Sequence, residues 1–371
     1  QSYASAVGVN PGSVHLNLPF REPLTGKAID LSSERLPRTQ ILGSIGLSDS
    51  ELQRAVALFE SQKGVIIAGR GCGDASAISD LAESLGWPVL ADSRSGCQGI
   101  PESVVHFDSL IRCQAFIEHQ VPEVVLRIGE SPSSKVLSQY VTKSGALQVH
   151  VSAFENTFDA DSQVSMHISC DPTTFCRGIS RLIKAASDPN HLSQWVSADQ
   201  KARAIIAKEF ASSKNALSAP QVAFVSRASL STGDNLFVSS SMPVRDLEWF
   251  GGDCSLLQVF SNRGANGIDG VIASAIGVAI ATRQKTLVLL GDVAFLHDSS
   301  SLTALADRDV DLKIVVTDND GGGIFHYLPQ AEIVSEQVFE KLFGTPHQTD
   351  LLKMAQAHRL ATFECESVEQ L

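Results

Sequence analysis

The chain has 371 residues, a mass of 39.6 kDa, 43% hydrophobic and 19% charged residues, so it can bury sizeable cores and is not a disordered chain. At roughly 150 residues per domain, this length predicts two or three domains. Its 29 basic and 41 acidic residues give a net charge of −12, and with no basic tract this argues against nucleic acid or an anionic membrane surface as a partner.

Residues 13–18 predict a strand, with Val14, Leu16 and Leu18 alternating against His15 and Asn17. A polar stretch with little periodicity follows. Residues 1–25 therefore read as the tail of another domain and 26–47 as a linker. From Ser48 the texture changes. Ser48 offers an N-cap, and Leu52, Val56, Ala57 and Phe59 mark a helical stripe. Short apolar runs at 65–68, 88–91, 124–128 and 147–151 predict strands, with a helix at 76–85 between two of them. Strands alternating with helices predict a parallel sheet covered on both faces, and this domain is assigned 48–187. A polar join at 188–200 leads into a helical pattern. A second α/β series follows, with strands at 235–238, 256–259, 286–290 and 312–317. It defines a domain over 188–371. The expected fold class is thus α/β, two doubly wound parallel-sheet domains.

The longest apolar run, near 271–282, is too short and too rich in Gly and Ala to span a bilayer, so no membrane insertion is expected. Cys72, Cys97, Cys113, Cys170, Cys176, Cys254 and Cys365 are scattered and never form a C-x-x-C pair. That pattern fits reduced thiols in a cytoplasmic enzyme better than a disulfide framework or a zinc site.

The chemistry concentrates in residues 286–325. The strand at 286–290 ends in Gly291-Asp292. After a helical stretch carrying Leu302, Leu305 and Ala306, the strand at 312–317 ends in Asp318-Asn319-Asp320-Gly321-Gly322-Gly323. In a parallel sheet both ends open on the same edge, where α/β folds bind ligands. Asp292 and Asn319 are therefore expected to meet in space. A carboxylate, an amide oxygen and nearby carbonyls form a hard-oxygen set that suits Mg²⁺. The glycines would let the backbone approach a phosphate. The bare pattern also fits two ordinary turns.

Gly291-Asp292 followed by 26 residues and Asn319 resembles the metal–diphosphate motif of thiamin diphosphate enzymes. Within them the chain resembles the 2-succinyl-5-enolpyruvyl-6-hydroxy-3-cyclohexene-1-carboxylate synthase (MenD) family of menaquinone biosynthesis. The resemblance rests on four further segments. They are Val14-His15-Leu16-Asn17-Leu18-Pro19-Phe20-Arg21-Glu22-Pro23-Leu24, Ser241-Met242-Pro243-Val244-Arg245-Asp246, Ser261-Asn262-Arg263-Gly264-Ala265-Asn266-Gly267-Ile268-Asp269-Gly270 and Gly322-Gly323-Ile324-Phe325.

The resemblance implies a central domain and a diphosphate-binding domain of the thiamin diphosphate enzyme fold. It implies that Asp292 and Asn319 ligate Mg²⁺ (or Mn²⁺) through side chains and Gly321 through its carbonyl. Gly291 joins them in binding thiamin diphosphate, and Ile268 matches the apolar residue beneath the cofactor. Lys135, Ser241, Arg245, Arg263, Ile324 and Phe325 match substrate-binding positions. The implied substrates are isochorismate and 2-oxoglutarate. Both are dicarboxylates, which guanidinium groups bind bidentately. Taken singly, Arg245 or Arg263 could instead serve a structural ion pair with Asp246 or Asp269. The resemblance further implies a homodimer or homotetramer. It places the glutamate that activates the cofactor in a pyrimidine-binding domain, so this residue is expected upstream of Gln1 and the chain alone is expected to be inactive.

Val293 stands where the metal motif often has Gly, and Asp318 and Asp320 stand where the family usually has Asn, adding carboxylates beside a diphosphate. An acetolactate-synthase-like or decarboxylating enzyme would lack the Arg245 and Arg263 pair. A noncatalytic metal–diphosphate-binding module is the alternative from another class. Two weaker signals have plainer readings. Ala68-Gly69-Arg70-Gly71-Cys72-Gly73 follows a strand, but the third glycine of a dinucleotide fingerprint would fall at Ala75 or Ser76, so a structural turn is expected. His297-Asp298 is expected to open a helix, with Asp298 or Ser299 as its cap.

Overall fold

Continuous apolar runs can be buried on both faces, and they supply the central strands of both sheets. The computed structural model describes residues 2–8, 12–26, 43–60, 62–153, 159–184, 186, 188–212 and 217–371. Most of the expected linker lies outside them.

The first sheet comprises β1 (Gly64–Ala68), β2 (Val89–Ala91), β3 (Ser103–Val104), β4 (Val124–Ile128), β5 (Leu147–Ser152) and β6 (Met166–Ser169). Its order is β3-β2-β1-β4-β5-β6 and every pairing is parallel. Successive residues of β1 face opposite ways. Ile66 and Ala68 pack with Phe59, Leu81, Trp87 and Phe175 on one face. Val65 and Ile67 pack with Phe107, Leu137 and Trp195 on the other. All five residues of β1 are buried, which is why the strand reads as apolar without alternation.

The second sheet comprises β7 (Asn235–Val238), β8 (Gln258–Phe260), β9 (Thr286–Gly291) and β10 (Leu312–Thr317). It is parallel, in the order β10-β9-β7-β8. The apolar helix Val271–Thr282 covers one face through Val271, Ile272, Ala275 and Ile276. The helices Ala219–Ala228 and Met242–Phe250 cover the other, through Val222, Ala223, Val244 and Leu247. Among the described residues no helix is long and apolar enough to cross a membrane.

Helix Pro189–Ser212 has 24 residues, about 36 Å at the α-helical rise, and touches both domains. Near its start, Trp195 is buried and packs edge-on against Phe116, with centroids 5.0 Å apart. His191 hydrogen-bonds the Gly64 carbonyl oxygen through Nε2 at 2.9 Å. Near its end, Phe210 meets Phe224 and Phe250 of the second domain, with centroids 5.3 and 6.2 Å apart. The sequence places this helix wholly with the second domain. Its first turns pack on the first.

Three expectations need correction. Residues 13–18 form no strand. Val14, Leu16 and Leu18 are exposed, and a period-2 pattern makes a strand only when a neighbour supplies the ladder. The strands β3 and β6 went unread because they are short and half-polar. β8 begins two residues later than its apolar run, and none of its residues is buried.

The two sheets differ at their topological switch points, where crossovers leave in opposite directions and a crevice can open. In the first sheet this point lies between β1 and β4, and the loops that leave these strands pack backbone to backbone beside a cavity lined by Ile67, Arg127 and Glu130. The Gly69 amide donates to the Ile128 carbonyl at 3.0 Å, and a Cβ on Gly69 would collide with the Glu130 carbonyl oxygen. The Gly69–Gly73 loop is therefore a packing turn, as expected. In the second sheet the switch point lies between β7 and β9, and there a cavity opens.

Candidate active site

The register of β9 and β10 pairs Thr317 with Gly291, so both strands end at the same level. Asp292 follows one and Asp318-Asn319 the other, and the expected meeting occurs. Asp292 is buried, and its Oδ2 accepts the backbone N–H of Gly321 at 2.8 Å and of Asn319 at 3.2 Å. Its Oδ1 accepts the Val293 N–H at 2.7 Å. One terminal atom of the Asn319 amide lies 2.8 Å from the Gly321 carbonyl oxygen and 3.3 Å from Asp292 Oδ2. With nitrogen there, the amide donates to both. With oxygen there, three oxygens face one another, a repulsion that a bound cation relieves. The set of one carboxylate, one amide and one carbonyl fits Mg²⁺, which completes its octahedron with water and phosphate oxygens.

The glycines beside Asn319 line the cavity, and two of them also serve packing. Gly321 sits at φ 149°, and a Cβ on it would collide with the Gly344 carbonyl oxygen; on Gly322 it would collide with that of Phe343. The Gly322 N–H donates to the Gly344 carbonyl at 2.7 Å. These glycines are required because two backbones touch, loop 318–323 against the turn at 343–349.

A cavity of about 420 Å³ opens from this corner. Ser241, Arg245, Arg263, Ile268, Gly291, Asp292, Asn319, Gly321, Ile324 and Phe325 all line it, so ten of the eleven residues singled out from sequence come together. Lys135 does not line it. It is exposed at the start of helix Lys135–Ser144, while Pro132, Leu137 and Ser138 line an adjoining cavity of about 480 Å³. Arg263 and Asn266 line both cavities.

The backbone around the cavity is unusual. Ser241 caps helix Met242–Phe250 at φ 73°, ψ −134°, and Asn266 and Thr345 sit at φ 58° and 48°. Such conformations cost non-glycine residues of order 1–3 kcal/mol each and cluster at functional sites. Arg245 donates from Nη1 to the Ser241 carbonyl oxygen, which ties the strained residue to the helix it caps.

Charge is concentrated behind the cavity. Arg94, from the first domain, holds Asp92 at 3.2 Å and Glu130 at 3.0 Å. Burial, then the neighbouring guanidiniums of Arg94 and Arg245, hold Arg263 below the usual arginine range, with Asp92 and Glu248 pulling the other way. Three arginines thus share one electrostatic neighbourhood. Among the described residues neither Arg245 nor Arg263 is ion-paired with a carboxylate. The structural pairs with Asp246 and Asp269 are not formed. Glu248 is buried with both carboxyl oxygens unpartnered. Burial pushes it well above the usual carboxylate range, reinforced by Asp92 and Asp108 and opposed by Arg94 and Arg263.

Several site residues were invisible to sequence reasoning. Ligand atoms of Asp292, Asp318 and His347 lie within 4.8 Å of one another. His347 stands in Gly344-Thr345-Pro346-His347, whose glycine and proline mark a turn without naming what it meets. Arg94 and Glu248 lie in different domains. His297 and Asp298 end the helix Asp292–Asp298 rather than open it, although Asp298 does cap the 3₁₀ turn Ser299–Leu305. Asp298 also accepts the Ala273 N–H at 2.8 Å, which secures helix Val271–Thr282.

Two family models match successive parts of the chain, and the first extends through β7 of the second sheet. The family described as "Middle domain of thiamine pyrophosphate" matches residues 43–238, and "Thiamine pyrophosphate enzyme, C-terminal TPP binding domain" matches residues 255–371. The chain is similar to 2-succinyl-5-enolpyruvyl-6-hydroxy-3-cyclohexene-1-carboxylate synthases. That of Myxococcus xanthus is 36% identical over 92% of this chain and 61% of the relative. That of Chloroflexus aurantiacus is 36% identical over 94% and 61%. That of Lysinibacillus sphaericus is 32% identical over 100% and 66%. The chain thus spans under two thirds of the length of these curated relatives.

The buried acids give this region a pH dependence. Burial pushes the Asp246 carboxyl up to about 7, with Arg245 pulling the other way. Between the ordinary aspartate range near about pH 4 and that value, the folded chain keeps a proton that the unfolded chain has lost. Stability therefore falls as pH rises through this window, and the contribution present at acid pH is gone above it. Asp246→Asn should flatten the fall, leaving the part of the same sign due to Glu248. Denaturant midpoints measured from pH 4 to 8 check this, and an unchanged slope would exclude Asp246 as its source.

Proposed function

The chain belongs to the thiamine pyrophosphate enzyme family, and from that premise we propose that it forms part of a thiamin diphosphate- and Mg²⁺-dependent transferase of menaquinone biosynthesis, a 2-succinyl-5-enolpyruvyl-6-hydroxy-3-cyclohexene-1-carboxylate synthase. The proposed reaction joins 2-oxoglutarate, with loss of CO₂, to isochorismate by conjugate addition. Its products are 2-succinyl-5-enolpyruvyl-6-hydroxy-3-cyclohexene-1-carboxylate and CO₂. Bound thiamin diphosphate would supply the electron sink that makes decarboxylation of a 2-oxo acid feasible.

The carrying observation is the junction of two unlike subsites in one cavity. At one end Asp292, Asn319 and the Gly321 carbonyl offer hard oxygens for Mg²⁺ or Mn²⁺ and its diphosphate, beside Gly291. At the other, Arg245 and Arg263 face the cavity with no carboxylate of their own. Two carboxylates of a substrate suit such guanidiniums, which bind each bidentately. Between the ends, Ile268 presents an apolar surface, and Ile324 and Phe325 form an apolar wall. Ser241 offers a hydroxyl at the same mouth, and Lys135 is proposed to reach substrate from the first domain.

We also propose a cytoplasmic homodimer or homotetramer. The seven free thiols support a reducing compartment. The assembly follows from the family, which builds sites between subunits. The activating glutamate is proposed to lie outside residues 1–371.

Three measurements test this reading. Asp292→Asn keeps the size of the side chain but removes its charge. It should weaken Mg²⁺-dependent thiamin diphosphate binding by calorimetry about tenfold or more, and unchanged affinity would remove the metal assignment. Arg245→Lys and Arg263→Lys keep charge but lose the planar fork. A lost charged hydrogen bond costs about 1.5–3 kcal/mol, so kcat/KM should fall about tenfold to a hundredfold; near-wild-type values for both would make these arginines structural. Residues 1–371 alone, given Mg²⁺ and thiamin diphosphate, should not consume isochorismate, and turnover comparable with the full-length enzyme would place the activating acid within them.

A further inference from the structure

The sequence offers no reason for His347 to meet Asp292, 55 residues away, yet the structure brings them together. The imidazole is largely buried, with 14% of the side chain exposed. Its Nδ1 accepts the Thr349 backbone N–H at 3.0 Å. In a neutral ring the proton therefore sits on Nε2, which lies 3.3 Å from Asp292 Oδ2 and donates to it.

The ring is delivered by Asp320. Its Oδ1 accepts the backbone N–H of His347 at 3.0 Å and of Gln348 at 2.6 Å. Asp320 Oδ1 also lies 3.5 Å from His347 Nδ1. Because Thr349 engages that nitrogen's lone pair, Asp320 holds the histidine through its backbone rather than its ring. Asp320 itself sits at φ 56°, and its N–H donates to Asp318 Oδ1 at 3.1 Å. The carboxylate that departs from the family's usual Asn is thus engaged by the turn at 345–348.

His347 and Asp318 lie close enough to Asp292 to be read as metal ligands themselves. The tautomer opposes this for His347. Ligation needs a free lone pair on Nε2, which would move the proton to Nδ1, where it would point at the Thr349 N–H. A hydrogen-bond donor to a ligating carboxylate instead fixes the orientation of that carboxylate, and here it meets Oδ2, the oxygen that Asn319 and Gly321 also engage.

We propose that His347 is a positioning residue that orients the metal-ligating carboxylate of Asp292, and that Asp320 holds His347 in place. The proposal rests on the metal–diphosphate reading above. Loop 318–323 then carries Asn319 and Gly321 toward the metal and, through Asp320, also brings the donor that steadies Asp292. One loop sets all three ligands.

The test is calorimetry of thiamin diphosphate binding to the full-length protein at fixed Mg²⁺. His347→Ala should weaken binding about 10–100-fold, with the melting temperature little changed. His347→Gln places an amide N–H near the position of Nε2 and should recover most of the affinity. Asp320→Ala should weaken binding in the same direction, since the turn is released. Asp292→Asn is the control for the underlying reading. If it leaves affinity unchanged, the metal reading fails; if it weakens binding while His347→Ala does not, this inference alone fails. Equal losses for His347→Gln and His347→Ala would also overturn it, because donation would not be what matters. Should His347→Ala not fold, electron spin echo modulation of the Mn²⁺-loaded wild-type protein decides. No directly coordinated ¹⁴N is expected, and a coordinated nitrogen would make His347 a ligand and end the positioning role.

Discussion

The parallel register of β9 and β10 is the constraint on which the site depends. Thr317 stands opposite Gly291, so a carboxylate leaves one strand where an amide leaves the next. A slip of one residue would turn every side chain of a strand to the other face. Register is secured by burial, since Thr286–Leu290 is enclosed on both faces, and by the Thr317 hydroxyl bonding to the Leu290 carbonyl at 3.2 Å. From that pairing follow the backbone N–H groups of Asn319 and Gly321 that hold Asp292, and the close approach that demands glycine at 321 and 322.

The second organising force is electrostatic, and it needs both domains. A chain of net charge −12 is a poor host for anionic substrates unless cations are gathered locally. Arg94 is neutralised by Asp92 and Glu130 within the first domain, so it contributes little free charge. Its guanidinium still crowds Arg263, which lacks a carboxylate partner of its own among the described residues. Burial holds the Glu248 carboxyl well above the usual carboxylate range, with Arg94 and Arg263 opposing. The helix Pro189–Ser212 keeps the two halves of this arrangement together, through Trp195 at one end and Phe210 at the other.

Legibility in the sequence tracks how local each feature is. β4, β7 and β10 coincide with their apolar runs, because strands buried on both faces need no partner to be recognised. β3 and β6 have two and four residues, too few for a period. Residues 13–18 carry the opposite error: a clean alternation that no neighbouring strand uses. Ten residues marked by the family resemblance line one cavity, and two of them, Asp292 and Asn319, were also legible from the strand ends they follow. The exceptions depend on distant contacts. His347 reaches Asp292 through hydrogen bonds to Asp320, and Glu248 acquires its environment from Asp92, Arg94 and Asp108 across the domain boundary. Lys135 is legible as a position but stands outside the cavity.

Strain separates what this region needs for folding from what it keeps for chemistry. Where two backbones touch, at Gly321 and Gly322, the chain uses glycine and avoids steric strain. Ser241 adopts φ 73°, ψ −134°, a backbone that glycine takes freely and that costs a serine about 1–3 kcal/mol. Asn266 and Thr345 carry the same kind of cost at the cavity wall, and Asp320 carries it between Asn319 and Gly321. Glycine would make each of these turns more cheaply, and the neighbouring loops show that the chain uses glycine where only space is at issue. At Asp320 the retained carboxylate bonds to residues 347 and 348. At Ser241 the carbonyl is held by Arg245, and the residue lines the cavity.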